Sequence, residues 1–150
     1  DQTIQSDGSY FLIRTSWLYG GHGKNFVDTM LRLGKEKKEL KIVNDQHGKP
    51  TFTKDLCQQV KWLLSTHDYP AGIYHMSNEG TTTWYDFARE IFRLAKNDID
   101  VIPCTSVEYP RPATRPAYSA LTNNKLPPLR HWKEALREYM AESGAIASGK

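Results

Sequence analysis

The sequence predicts an α/β fold on three observations. The spacing of hydrophobic residues alternates several times between every second residue and roughly every 3.6 residues, which indicates strands interspersed with helices. The chain has 150 residues, about the length of one domain with a packed core. It is 39% hydrophobic and 25% charged, a composition too apolar for intrinsic disorder. We therefore expect residues 1–150 to form a single α/β unit.

Strands are expected where aromatic and β-branched residues cluster or alternate with polar ones. Tyr10–Trp17 is apolar at nearly every position, as in a strand covered on both faces, and the glycines of Gly20–Gly23 end it. Later strands are predicted over Leu40–Val43, Ile73–Ser77 and Asp100–Pro103. Between them, Asn44–Thr51 has the Gly, Pro and Asn/Asp content of an ordered loop.

Helices are expected where apolar residues recur at intervals of three and four. One begins at Asn25, and a second begins at about Thr53. A third opens at Thr83 and Asp86, which form a Thr-x-x-Asp capping pattern. The last helix is predicted over Arg130–Met140.

Two segments fit neither pattern. Pro110, Pro112 and Pro116 lie close together, and because proline lacks a backbone donor and has a fixed φ, we expect an extended surface segment there. Residues 143–150 are rich in Ser, Gly and Ala, so we expect a flexible tail.

Charge and composition exclude several classes of function. Twenty Lys and Arg against 17 Asp and Glu leave a net charge of +3, too small for a nucleic-acid partner. No segment approaches the ~18 consecutive apolar residues of a membrane span, and the N-terminus lacks the features of a secretory signal. Cys57 and Cys104 indicate neither a disulfide framework nor a zinc site. We expect a soluble, cytoplasmic protein with no nucleic-acid or membrane partner.

The sequence carries no recognisable catalytic motif. A nicotinamide reductase needs a Gly-rich turn to hold pyrophosphate, and a Tyr with a Lys one helical turn later to deliver a proton. Neither Gly-x-Gly-x-x-Gly nor Tyr-x-x-x-Lys occurs in the 150 residues. The five histidines form no metalloprotease or hydrolase motif. We therefore predict no catalytic, cofactor-binding or metal-ligating residue within this chain.

Polar loops that hold aromatic and basic groups suggest a binding surface instead. Trp17 stands at the carboxyl end of the first predicted strand, where α/β sheets bind their ligands, although plain core packing is the alternative. Arg111 and Arg115 carry planar donor forks that suit a diphosphate, although exposed arginines are usually only solvated.

Several segments, in order and at compatible spacings, resemble the C-terminal part of the dTDP-4-dehydrorhamnose reductase family, within the extended short-chain dehydrogenase/reductase superfamily. They cover nearly the whole chain, and they are Arg14–Gly20, Gly23–Phe26, Met30–Leu33, Asp45–Thr51, Gly72–His75, Gly80–Trp84 and Tyr109–Pro116. The resemblance implies the last part of a Rossmann-type domain, including the strand at Tyr10–Trp17, joined to a smaller α/β substrate domain.

The same resemblance implies an activity for the complete enzyme. NADPH would reduce the C4 carbonyl of dTDP-6-deoxy-L-lyxo-4-hexulose to give dTDP-L-rhamnose, with the Gly-rich turn and the catalytic Tyr and Lys in an N-terminal Rossmann portion that precedes this segment. The chain alone is then expected to be inactive. Trp17 matches a family tryptophan that contacts substrate, and its indole would stack on the deoxysugar. Asn25 would orient the sugar, while the Asp45–Thr51 loop and Arg111 or Arg115 would meet the nucleotide and its phosphates.

The expected partners are a dTDP-sugar and the N-terminal Rossmann portion, with a homodimer possible. Some family members are magnesium-dependent through acids at a dimer contact, but Lys54 stands where one such acid is expected, which argues against a metal here. One alternative is a non-catalytic relative, like the regulatory β subunit of methionine adenosyltransferase. Another is a freestanding sugar-nucleotide binding module, which the cut edge of the first strand disfavours.

Overall fold

The predicted α/β architecture is present in the computed structural model, which describes residues 10–66, 68–108, 113 and 115–147. The helices are α1 (Phe26–Glu36), α2 (Thr53–Thr66), α3 (Trp84–Leu94) and α4 (Trp132–Glu142). The strands are β1 (Phe11–Arg14), β2 (Leu18–Tyr19), β3 (Glu39–Val43), β4 (His47–Gly48), β5 (Thr51–Phe52), β6 (Gly72–His75), β7 (Thr82–Thr83) and β8 (Asp100–Cys104).

The strands pair across long stretches of sequence. Three pairs are parallel, namely β1 with β6, β2 with β5, and β3 with β8. In the last of these, Ile42 stands opposite Pro103. The short strands β4 and β7 pair antiparallel. Parallel pairs need crossover connections, and the helices of this chain supply them.

The first strand is shorter than predicted. The sequence predicts one strand over Tyr10–Trp17, but β1 ends at Arg14 and β2 begins at Leu18, because Trp17 has a φ of 46°. A left-handed backbone cannot continue a strand. Within the described ranges, Phe11 and Arg14 of β1 are exposed and Leu12 and Ile13 are only partly buried. The predicted cover on both faces is therefore not present in this part of the protein.

The predicted loop over Asn44–Thr51 contains short strands. β4 pairs with β7, and the start of β5 pairs with β2. A strand of two residues has no measurable alternation, so composition alone indicates a loop there. The segment is also held by a hydrogen bond of 2.8 Å that the Ser16 hydroxyl donates to the Lys49 carbonyl.

The helices begin close to where the capping residues predict. The Asn25 side chain accepts a hydrogen bond from the backbone N–H of Asp28 at the start of α1, and Thr83 accepts one from Asp86 at the start of α3. These bonds satisfy donors that have no partner within the helix. The last helix begins at Trp132, two residues later than predicted, after His131 caps it.

Two apolar cores hold the elements together. The larger lies among α1, α3, α4 and the strands β3 and β5. Its fully buried members include Val27, Phe87, Ile91 and Leu136. The smaller core packs α2 against β6 through Leu63, Tyr74, Met76 and Leu126.

A buried polar network connects these cores. Asp55 at the start of α2 is 5% exposed and accepts two hydrogen bonds from Arg130, at 2.7 and 2.9 Å. Fully buried Asn78 donates to Asp55 at 2.7 Å and to the Arg130 carbonyl at 3.1 Å. Its side-chain oxygen accepts from the Phe52 backbone at 2.9 Å. The network therefore joins β5, α2, the segment after β6 and the segment before α4.

Lys54 extends this network across the surface. Its ammonium pairs with Glu138 at 2.6 Å and Glu142 at 2.5 Å on α4, and Glu138 also contacts Arg130. The carboxylates that face Lys54 are thus already neutralised by a protein cation. Within the described ranges, no group of three or more His, Cys, Asp or Glu residues is arranged to hold a metal ion.

The C-terminal segment begins against the larger core. Ala145 and Ile146 are partly buried there, while residues 148–150 lie outside the described residues. A flexible tail over 143–150 stays a prediction. None of the helices that the structure describes combines the length and the apolar character needed to cross a membrane.

The first prediction concerns the buried ion pair. We expect Asp55→Ala to lower the free energy of unfolding by about 3 kcal/mol, because breaking a buried pair leaves its partners without compensation. Glu36→Ala is the matched control: it breaks the exposed pair with Arg32, whose side chains are 60% and 51% exposed, and should cost less than about 0.5 kcal/mol. Denaturant unfolding measures both. An equal loss of unfolding free energy in the two variants would contradict the prediction that the buried pair of Asp55 stabilises the fold more than an exposed pair does.

The second prediction concerns pH. Hydrogen bonds from Lys54 and then Arg130 lower the pKa of Glu138 from its ordinary 4.5 to about 2. A carboxyl whose pKa is lowered by folding stabilises the folded protein above its unfolded pKa, and loses that effect as pH falls through its folded pKa. Glu138→Gln should therefore destabilise the protein at pH 6, and the difference from wild type should shrink between about pH 4.5 and 2. Urea unfolding across this range measures it, and a constant difference would contradict the assignment.

Candidate ligand-binding groove

Trp17 lies in the turn between β1 and β2, and a backbone hydrogen bond holds it there. Its carbonyl accepts a hydrogen bond of 3.1 Å from the Thr51 N–H at the start of β5. Its φ of 46° turns the chain sharply after β1. The Trp17 side chain is only partly buried.

The indole of Trp17 lies flat against a second indole. The ring centroids of Trp17 and Trp84 are 3.6 Å apart and their planes differ by 12°. Trp84 is the first residue of α3, and its ring is 4.6 Å from that of Phe26. Gly48 in β4 lies beside the Trp17 ring so closely that a Cβ at that position would be 2.3 Å from Cε2.

An open cavity of about 380 Å³ borders this stack, and we call it the Trp17 cavity. It is lined by Trp17, Gln46, Trp84, Arg115, Pro116 and Ser119. Its wall therefore combines aromatic faces with an amide, a guanidinium and a hydroxyl. Pockets for small molecules commonly have this mixture of apolar surface and a few convergent polar groups.

A larger cavity of about 700 Å³ adjoins it, and we call it the helix-side cavity. Gln46, Trp84 and Arg115 line both cavities. The rest of its wall comes from α1, Lys37 and β3, and it mixes apolar side chains such as Phe26 and Met30 with the charged Lys37, Glu39 and Lys41. The two cavities thus form one groove with Arg115 where they meet.

The groove is held in shape by hydrogen bonds to its polar wall. The Gln46 amide donates to the Ser106 hydroxyl at 2.8 Å. Neighbouring Asp45 accepts hydrogen bonds from the side chain and the backbone of Ser106, which lower the pKa of its carboxyl. Asp45 is therefore committed to anchoring the loop, and Gln46 is the residue of this pair that reaches the groove.

The segment that carries Arg115 is tied to β4. The His47 N–H donates to the Ala117 carbonyl at 2.7 Å, and the Ser119 N–H donates to the His47 carbonyl at 2.8 Å. The His47 and Tyr118 rings also lie together, with centroids 5.9 Å apart. This pairing holds the segment that carries Arg115 and Ser119 at the wall of the groove.

Two of the residues predicted for the site meet in the groove. Trp17 and Arg115 both line the Trp17 cavity. Arg111 lies outside the described residues. Asn25 lines a separate cavity at the start of α1, where its amide serves the helix cap and donates to the Tyr139 hydroxyl at 3.1 Å. The structure therefore does not bring Asn25 together with Trp17, and a role for it in orienting substrate stays a prediction.

Three residues that line the Trp17 cavity were given no site role by sequence reasoning, namely Trp84, Pro116 and Ser119, whereas Gln46 lies in the Asp45–Thr51 loop that was expected to meet the nucleotide. Trp84 is read from the sequence as part of an apolar helix face, and it does pack on the core. Its position directly after the capping Thr83 is the available signal, since a side chain in a first turn lies at the end of its helix rather than along it.

Two buried tyrosines lie away from the groove. Burial raises the pKa of the Tyr19 phenol far above its ordinary value, and its hydroxyl has no hydrogen-bond partner among the described residues. Burial and the hydrogen bond to Asp28 raise the pKa of Tyr139 to about 12. Neither lines either cavity, so the groove is equipped to bind and orient rather than to transfer a proton through these groups.

This chain is similar to known proteins in both sequence and structure. Residues 1–144 match the family described as the RmlD substrate binding domain. The spore coat polysaccharide biosynthesis protein SpsK of Bacillus subtilis (strain 168) is 47% identical over 135 residues, covering 87% of this chain and 47% of that protein. A dTDP-4-dehydrorhamnose reductase of Streptomyces griseus is 45% identical over 137 residues, covering 85% of this chain and 45% of that protein.

The fold agrees with that of a solved relative. The crystal structure of a dTDP-4-dehydrorhamnose reductase from Bacillus anthracis str. Ames in complex with NADP superposes with a TM-score of 0.88 at 39% identity, covering 94% of this chain and 52% of that one. The predicted α/β, Rossmann-type class is thereby confirmed. This chain spans about half the length of the curated relatives it matches. The family match over residues 1–144 confirms the resemblance seen in the motifs, and the chain belongs to the RmlD substrate binding domain family.

Proposed function

We propose that this chain is the substrate-binding portion of an NADPH-dependent dTDP-4-dehydrorhamnose reductase, which reduces dTDP-6-deoxy-L-lyxo-4-hexulose to dTDP-L-rhamnose. The observation that carries the proposal is the Trp17 cavity, in which an aromatic wall and the Arg115 guanidinium face the same space. A deoxysugar joined to a diphosphate presents an apolar face beside an anion, which is the complementary chemistry.

The parts of the ligand can be assigned by chemistry along the groove. The Trp17 ring offers an apolar surface to the deoxysugar, whose methyl group and ring C–H bonds pack well on an aromatic face. Arg115, where the cavities meet, offers a planar fork to the diphosphate. The helix-side cavity then receives the thymidine, beside the apolar side chains of Phe26 and Met30.

The reducing machinery belongs to a further portion of the enzyme. NADPH supplies the hydride for the C4 carbonyl, and the Bacillus anthracis relative is described in complex with NADP. The present 150 residues contain no Gly-rich dinucleotide turn and no Tyr-x-x-x-Lys. This chain's own residues therefore bind the sugar nucleotide, hold its C4 in place and exclude water on one side. By itself the chain is expected not to oxidise NADPH.

A non-catalytic, partner-binding role is the competing assignment. It requires a docking surface rather than a groove, and the relatives named above are biosynthetic proteins, two of them dTDP-4-dehydrorhamnose reductases. The names of these relatives favour the reductase assignment over a partner-binding role. A cytoplasmic location and a homodimer accompany the proposal as predictions.

Calorimetric titration tests the proposal directly. The purified chain is titrated with dTDP-L-rhamnose, alone and with the remaining portion of the reductase supplied separately. Binding of dTDP-L-rhamnose to the chain is expected. When dTDP-6-deoxy-L-lyxo-4-hexulose is supplied instead as the hydride acceptor, NADPH oxidation is expected only in the reconstituted mixture. NADPH oxidation by the chain unaided, or no heat of binding in either mixture, would contradict it.

We predict that Trp17→Ala weakens dTDP-L-rhamnose binding about tenfold, because stacking and burial on one aromatic face are worth roughly 1–1.5 kcal/mol. Trp17→Phe should retain most of the affinity. The dissociation constants of the three proteins measure the effect. Unchanged affinity in Trp17→Ala would remove the stacking assignment.

Arg115 is predicted to bind the diphosphate. Arg115→Ala should weaken binding by about ten- to a hundredfold, as expected for hydrogen bonds to a charged group, and Arg115→Lys should lose less because it keeps the charge. Arg32→Ala is the matched control, since Arg32 is an exposed arginine of α1 paired with Glu36. Titration with dTDP and with thymidine separates the contribution of the phosphates from that of the nucleoside. Arg115→Ala should lose affinity for dTDP and keep its affinity for thymidine. An equal loss for both ligands would contradict a phosphate contact.

A further inference from the structure

The backbone of Trp17 is held in an unfavourable conformation by its surroundings. A φ of 46° is uncommon for a bulky residue. Such a conformation persists only where neighbouring groups over-determine it, and it is often found at binding sites. The contacts that fix the ring therefore decide where the wall of the Trp17 cavity stands.

Gly48 is one of these contacts, and the requirement for glycine there is one of space. A Cβ at Gly48 would lie 2.3 Å from Cε2, 2.6 Å from Cζ2 and 2.7 Å from Nε1 of Trp17. The φ of Gly48 is not in the left-handed region, so an alanine there is compatible with the backbone. The Cβ of that alanine would displace the Trp17 indole, because a rigid ring has no flexible end that could move aside.

Trp84 is the second contact. It covers the Trp17 ring at 3.6 Å, and it is itself fixed, since the Thr83 cap sets the start of α3 and the Phe26 ring abuts its own. Trp17 thus meets a backbone at Gly48 and a fixed ring at Trp84.

We infer that Gly48 and Trp84 are positioning residues for sugar-nucleotide binding, which act by holding the Trp17 indole at the wall of the Trp17 cavity. The inference rests on the proposed function for its ligand. Its structural part, the dependence of the Trp17 ring position on these two residues, is measurable without any ligand.

A double-mutant cycle tests Gly48. In the wild-type background, Gly48→Ala should weaken dTDP-L-rhamnose binding about tenfold, whereas in a Trp17→Ala background, where the ring is gone, it should change affinity less than about twofold. The same pattern is expected in urea unfolding: Gly48→Ala lowers the unfolding midpoint when Trp17 is present and leaves it unchanged when Trp17 is absent. Equal effects in the two backgrounds would overturn the inference for Gly48.

A second cycle tests Trp84, which also lines the groove. Trp84→Ala should weaken binding about as much as Trp17→Ala, should add less than about twofold in a Trp17→Ala background, and should be largely rescued by Trp84→Phe, which restores a flat neighbour. Losses that multiply in the double variant would mean that Trp84 contacts the ligand itself and would overturn its positioning role.

Spectroscopy separates ring placement from folding. Gly48→Ala and Trp84→Ala should alter the near-ultraviolet circular dichroism of the tryptophans while the far-ultraviolet helix signal is kept. Trp62→Phe, on α2 and away from the groove, is the control for loss of an indole. If the wild-type protein binds no dTDP-L-rhamnose, the proposed function fails. The unfolding midpoints of the single and double variants then still decide whether the effects of Gly48→Ala and Trp84→Ala require the Trp17 ring.

Discussion

The ion pair between Asp55 and Arg130, closed by Asn78, is the constraint on which the groove depends. A carboxylate that is 5% exposed requires partners for its charge, and these partners come from distant parts of the chain. Through Asn78 the network fixes the backbone of Phe52 in β5, and β5 in turn donates from Thr51 to the Trp17 carbonyl. The position of the aromatic wall therefore follows from a buried charge on the neighbouring helix α2.

Much of the helical framework could be predicted because its signals are local. The capping pattern at Thr83 and Asp86 predicted the start of α3 to within a residue, and Asn25 similarly marks the start of α1. The ligand role of Asn25 was predicted from the family resemblance alone. In the structure its side chain caps α1 and donates a hydrogen bond to the Tyr139 hydroxyl.

The strands and the aromatic stack could not be predicted in the same way. β2 and β5 have two residues each, too few to show a period, and the turn at Trp17 is set by a partner 34 positions later in the chain, Thr51. Resemblance pointed to Trp17 and Arg115, but the contact of Trp17 with Trp84 depends on tertiary packing. Gln46 and Ser119 reach the groove only because β4 pairs with residues 117–119.

The proline in β8 has a consequence for how the protein meets other molecules of its own kind. Asp100 donates to the Lys38 carbonyl and the Cys104 carbonyl accepts from Asn44, so alternate residues of β8 bond to β3 and Pro103 faces the opposite side. That outer side lacks one N–H and carries a ring in its place. A strand from another copy of the protein would find no backbone donor at Pro103, the fourth of the five residues of β8, so pairing along this flank is disfavoured.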